Sequence, residues 1–149
     1  MFSTSKRWIE FNIDALYELK CTYLAAQDAI KEQLYGLDPN SKKQIKQYFA
    51  DFLDIQLENV KISTLERALL LFDSDSEEFN FTNGIIYYLK LKYSLKNYID
   101  YILKHHQEGK IYLRDINGDW RFPNRQPVPS SPELQQCIIG ESYELRHTE

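Results

Sequence analysis

The sequence predicts a mainly α fold, an antiparallel helical body with a small extended or β C-terminal part. Three observations predict it. Apolar residues recur every three or four positions over two long stretches, around residues 14–35 and 84–106, as on a helix with one buried face. The chain between them carries two serine-led helix starts, NSKKQ and STLE. From Lys110 the pattern changes to a strand-like run, an Asn-Gly turn and a proline-rich segment.

Each element has its own signal. In the first stretch Leu16, Leu19, Tyr23, Ala26, Ile30 and Leu34 form one stripe, Asp14 is placed to cap it, and Gly36 with Pro39 stops it. In the second helix Ser41 is the expected N-cap with Gln44 three residues on, and Ile45, Tyr48, Phe49 and Phe52 form its apolar face. In the third, Ser63 and Glu66 bracket the start, and Leu65, Ala68, Leu69 and Phe72 make a short stripe. The acidic run DSDSEE separates these from the longest helix, expected from about Asn83 to His106 with Tyr88, Leu91, Leu95, Tyr98 and Ile102 on its buried side. Gly109 ends it. The two long helices are expected to meet near Leu24, Ile30, Leu91 and Leu95. KIYLRDINGDW reads as a strand entering a tight turn, and SPELQQCI as one helical turn or a short irregular packing segment.

Composition bounds the function. A chain of 149 residues with 43% hydrophobic and 27% charged residues is an ordinary globular mix, sized for one domain. The net charge of −4 offers no global positive field, so any nucleic-acid contact needs a local patch. Cys21 and Cys137 lie far apart without ligand spacing, the usage of reduced thiols in an intracellular protein. MFSTSKRWIEFNID lacks the apolar core of a signal peptide, and no stretch approaches a membrane span.

Catalytic chemistry finds few candidates. Asp14 and Glu18 share a helix face, but carboxylates at a helix start more simply favour the dipole. His105, His106 and Glu108 cluster at a helix C-terminus, where histidines commonly cap the last turn, and a metal site would want a fourth ligand. No Gly-rich phosphate loop, CxxC pair or nucleophile elbow is present. The expectation is no enzymatic activity and no cofactor in this chain.

The cations carry more information. Lys42 and Lys43 sit at a helix N-terminus, the wrong end for the dipole unless an anion docks there; the alternative is a solvated turn. Lys92 and Lys96 lie along one flank of the long helix, with Lys90 and Lys104 on the far side. Arg121 and Arg125 sit in the stretch GDWRFPNRQPVPSSPELQQCI, whose prolines hold a guanidinium at small entropic cost. The competing reading pairs an arginine with Asp115 or Asp119.

These segments, in this order, resemble the thumb region of family A DNA polymerases, the bacterial DNA polymerase I class and its bacteriophage relatives. The resemblance runs through EFNIDALYEL, LDPNSKKQIKQYF, ISTLERAL, KYSLKNYIDYIL, GKIYL, PNRQPVPSSPELQQCI and ESYELR, and covers nearly the whole chain, with SSPELQQ its sharpest element. It implies a helical thumb-like domain over 1–109, and a strand, strap and start of a palm-like segment over 110–149.

The resemblance also implies residue roles. Arg125, with Arg121 as competitor, matches the arginine that reaches the minor-groove side of the primer end, although Asn124 stands where the family has glycine. Ser41, Lys42 and Gln44 match the thumb's NSpkQ element, and Lys43 lies within it. Lys92 matches the primer-backbone lysine with a one-residue shift, Lys96 falls beside it, and Gln135 matches the glutamine near the palm. The family's magnesium-binding carboxylates and nucleotide-binding helix belong to palm and fingers segments expected beyond Glu149, so Mg²⁺ would enter only through a separate palm partner. The implied function is a non-catalytic thumb-like part that holds primer–template duplex, in the cytoplasm, that of the host if the chain is phage-encoded. The alternative is an accessory or inhibitory phage-type protein that uses the same fold to bind a replication or host protein.

Overall fold

The computed structural model describes residues 3–147, with side-chain detail for residues 6–141. In chain order it holds β1 (Ser3–Phe11), α1 (Ile13–Glu32), α2 (Lys42–Leu53), α3 (Ile62–Leu69) and α4 (Glu77–Ser94). A π-turn (Leu95–Ile99), α5 (Asp100–His105), β2 (Lys110–Tyr112), β3 (Arg114–Ile116), β4 (Asp119–Arg121), α6 (Pro132–Gln135) and β5 (Ile138–His147) follow. The fold is mainly helical with two small open sheets, one ordered β2-β1-β5 and one pairing β3 with β4. Among the described residues, no helix is long and apolar enough to cross a membrane.

Backbone contacts gather the chain into two compact units, residues 22–93 and the segments on either side of them. The division falls at 21/22 and 93/94, and β1 joins the residues after 93 because it pairs with β2 and β5. It runs antiparallel to β2, with Ile9 opposite Ile111, and antiparallel to β5, with Glu10 opposite Gly140. Phe11 then pairs with Ile138, so Ile139 is bulged out and left exposed.

β1 was not expected. Its first residues are polar, and only Trp8-Ile9-Glu10-Phe11 shows the alternation of a half-buried strand. Ile9 and Phe11 are each 1% exposed and join Leu16, Ile99, Ile102, Ile111 and Phe122 in the core of this unit. Phe122 is its aromatic hub, edge-on to Phe11 and Tyr98 and stacked with Tyr101. Gly109 closes against β1. Its φ of +84° suits glycine, and a Cβ there would lie 3.1 Å from the Phe11 carbonyl oxygen. The Phe11 N–H donates to the Gly109 carbonyl at 2.8 Å.

The other unit is built from helices alone. Leu34, Ile45, Phe49, Leu65, Ala68, Ile85 and Ile86 form its core. Ile30 and Leu34 face Gly84, and the Gln27 side chain donates to the Tyr88 carbonyl at 3.5 Å, so α1 and α4 run antiparallel here. In the first unit Lys20 pairs with Asp100 at 2.8 Å, and that hydrogen bond and charge raise the lysine pKa. Leu91 and Leu95 are buried as expected, but Leu24 is 44% exposed and Gln27 occupies the buried face in its place.

Several helix ends differ from the sequence reading. Asn12, not Asp14, caps α1, its Oδ1 accepting the Ala15 N–H at 3.1 Å. Ser41 caps α2 by accepting the Gln44 N–H, as expected, but the Gln44 side chain accepts from Asp38 N–H and no capping box closes. Phe52 lies off the buried face and is 76% exposed. α3 begins at Ile62, which puts Ser63 inside the helix; Asn59 organises this start by accepting from Lys61 N–H and from the Thr64 hydroxyl. α4 begins at Glu77, well before Asn83, because the Ser76 hydroxyl accepts the Phe79 N–H. The acidic residues Glu77 and Glu78 then favour the dipole of its first turn.

Candidate nucleic-acid interface

Ser41, Lys42 and Lys43 form the N-terminus of α2. The Ser41 hydroxyl fixes the turn, and both lysines are exposed with no acidic residue in the first turn to neutralise them. This leaves free N–H groups and ammonium groups together on one rim, the combination that attracts an anion. Lys92, near the end of α4, and Lys96, inside the π-turn, are exposed, and neither forms an ion pair with a described residue. Lys90 behaves differently and pairs with Glu66 at 3.4 Å.

The π-turn anchors the proline-rich strap. Here the Asp100 N–H reaches back to the Leu95 carbonyl, five residues earlier, and the ordinary helical ladder is interrupted. The Asn97 carbonyl accepts from the Asn124 side chain at 3.0 Å, and the Tyr98 hydroxyl donates to the Pro127 carbonyl at 2.8 Å. The proline-rich strap is thus tied to the long helix at its irregular turn, with Phe122 buried beneath. Burial raises the pKa of Tyr101, whose ring stacks on Phe122.

Between these anchors the strap makes a tight turn. The Phe122 N–H donates to the Gln126 carbonyl and the Arg125 N–H to the Phe122 carbonyl. Arg125 sits in this turn with φ +69°, a backbone conformation that side-chain-bearing residues adopt rarely. Its side chain is exposed and forms no ion pair with a described residue. Arg121 is committed elsewhere: its Nε donates to Asp119 at 2.7 Å and its Nη1 to the Arg125 carbonyl at 3.1 Å. Of the two candidate arginines, Arg121 braces the turn and Arg125 is presented by it.

The rest of the strap is also built by side-chain-to-backbone bonds. Asn117-Gly118 forms the hairpin turn between β3 and β4, both residues having positive φ, so the second strand of this hairpin is present. Ser131 caps α6 by accepting the Leu134 N–H, and the Gln135 side chain donates to the Pro129 carbonyl at 3.5 Å. Gln135 therefore closes its own loop, although it remains exposed.

The two histidines among the catalytic candidates have structural partners. His106 Nδ1 accepts the Gly109 N–H at 3.0 Å and caps the end of α5, while the His105 ring packs on Tyr101. Asp14 and Glu18 lie exposed on the first turns of α1. Among the described residues, no group of three or more His, Cys, Asp or Glu side chains is placed to hold a metal ion. Sequence reasoning missed an aromatic pocket in residues 22–93, because two of its rings come from a turn and from an early turn of α4 that lies before the expected helix start near Asn83.

No family profile, curated protein or solved structure matches the chain.

Proposed function

We propose that this chain is a non-catalytic, thumb-like part of a family A DNA polymerase that holds primer–template duplex through backbone and minor-groove contacts. The observation that carries the reading is Arg125, exposed on a turn pinned to the π-turn of the long helix by Asn124 and Pro127. A guanidinium on a braced turn loses little freedom when it forks onto a phosphate or a groove-edge acceptor. The capped N-terminus of α2, with Lys42 and Lys43, supplies a second anion-attracting point. Lys92 and Lys96 add exposed positive charge, and Gln135 lies on the strap's last turn. Catalysis would require a palm-and-fingers partner, which would bring Mg²⁺.

The net charge of −4 limits affinity, so binding by this chain alone is micromolar or weaker and falls as salt rises. Fluorescence anisotropy with a labelled primer–template at low and moderate salt tests this. Arg125→Ala and Lys92→Ala each weaken binding. Wild-type binding equal to both variants, or no binding even with a palm-and-fingers portion supplied, overturns the proposal. The second reading, an accessory protein that binds a replication or host protein, is favoured by a different feature, the exposed aromatic pocket.

A further inference from the structure

The unit of residues 22–93 contains a pocket of about 870 Å³ between the end of α1, α2 and the first turns of α4. Its apolar wall is a run of four rings. Tyr35 stacks with Phe81, Phe81 with Tyr48 at 4.3 Å between centroids, and Tyr48 leans on Phe52 at 5.4 Å. Tyr35 is 91% and Phe52 76% exposed, so the two ends of the run face solvent. Four rings in a row with both ends bare form a surface shaped for an occupant.

The polar lining gives the sign of that occupant. Asp51 and Glu77 line the pocket, and no lysine or arginine does. Neither carboxylate is paired with a described cation. Burial first, then the charges of Glu78 and Glu77, raises the pKa of Tyr48. Amides from Gln33, Gln47 and Asn80 complete the rim. Gly84 lies in the α4 wall. A Cβ there would meet only ordinary contacts, 3.8 Å from Ile30 and Leu34, so local packing does not demand a glycine in this helix interior.

We infer that this pocket docks an arginine-bearing apolar segment of a partner protein, with the guanidinium over the aromatic run and facing Asp51 and Glu77. A flat cation matches ring faces, which carry negative potential, and two carboxylates offer it forked hydrogen bonds. The volume exceeds what a lone ion fills and suits several residues of peptide. The two carboxylates repel a phosphate backbone here. The inference does not depend on the duplex-holding reading.

The test uses a fluorescein-labelled twelve-residue probe of alternating leucine and arginine, and a matched probe with citrulline, the neutral isostere, in place of arginine. Anisotropy is measured with the full chain at physiological salt. The arginine probe binds at least about fivefold more tightly than the citrulline probe, the scale of one cation–π contact. Tyr35→Ala and Phe52→Ala leave net charge unchanged and replace exposed rings, and each weakens the arginine probe; Asp51→Asn with Glu77→Gln removes most of its preference. Thermal melts of the variants verify folding. Equal binding of the two probes, arginine-probe affinity unchanged in the ring variants, or no arginine-probe binding to millimolar concentration overturns the inference. Agmatine competing as strongly as the peptide also overturns it, because the site would then take a free cation.

Discussion

Replacing Phe122 with alanine tests how the strap is held. This ring is 0% exposed and touches Phe11, Tyr98 and Tyr101, which come from β1, the π-turn and α5. Phe-to-Ala changes at such sites cost about 3–5 kcal/mol, from lost burial and the cavity left behind. For a chain of this length each kcal/mol lowers Tm by roughly 2–4 °C, so the expected drop is roughly 6–20 °C. Urea unfolding followed by circular dichroism measures the change, with Phe52→Ala as the exposed control expected to stay within about 0.5 kcal/mol. The midpoint should fall with little change in slope. A loss below about 1 kcal/mol would refute the docking of the strap through Phe122.

Tyr98→Phe removes the hydroxyl bond to Pro127 and should cost about 0.5–1.5 kcal/mol in the same assay, with Arg125-dependent duplex binding reduced further than stability alone requires. Gly84→Ala should stabilise the chain by about 0.5–1 kcal/mol, read as a raised urea midpoint. Native alkylation with iodoacetamide should label Cys21 and spare Cys137, whose thiol is buried and shifted to higher pKa; peptide mass spectrometry after brief exposure distinguishes them. Purified chain with Mg²⁺ or Mn²⁺ should not extend any primer–template, and template-dependent extension altered by substitutions in this chain would contradict the non-catalytic reading.

The helical part of the fold is legible in sequence wherever one physical signal acts alone. The spacing of Leu16, Tyr23 and Leu34 marks α1, and the Ser41 hydroxyl marks the start of α2. Signals fail where tertiary partners decide. Ser3–Phe11 is read as strand only when β2 and β5 are known, since half of it is polar. The π-turn leaves the apolar periodicity nearly intact, so Leu95, Tyr98 and Ile102 look like one regular stripe. At the candidate site, the resemblance offers two arginines, and the structure shows Arg121 hydrogen-bonded to Asp119 while Arg125 is exposed. The pocket is invisible because Tyr35, Tyr48 and Phe81 come from a turn and two helices.

The central place of β1 has a consequence for the order in which the chain folds. Its two neighbours are residues 110–112 and 138–147, so the three-stranded sheet cannot close until most of the chain has been synthesised. Residues 22–93 are contiguous and helical, and need no such distant partner. They can fold on the ribosome while β1 waits with both edges open, exposing Ile9 and Phe11 to any passing strand. An exposed cation beside them, Lys6, opposes such pairing, and Lys6→Thr should increase aggregation during refolding without a matching loss of native stability.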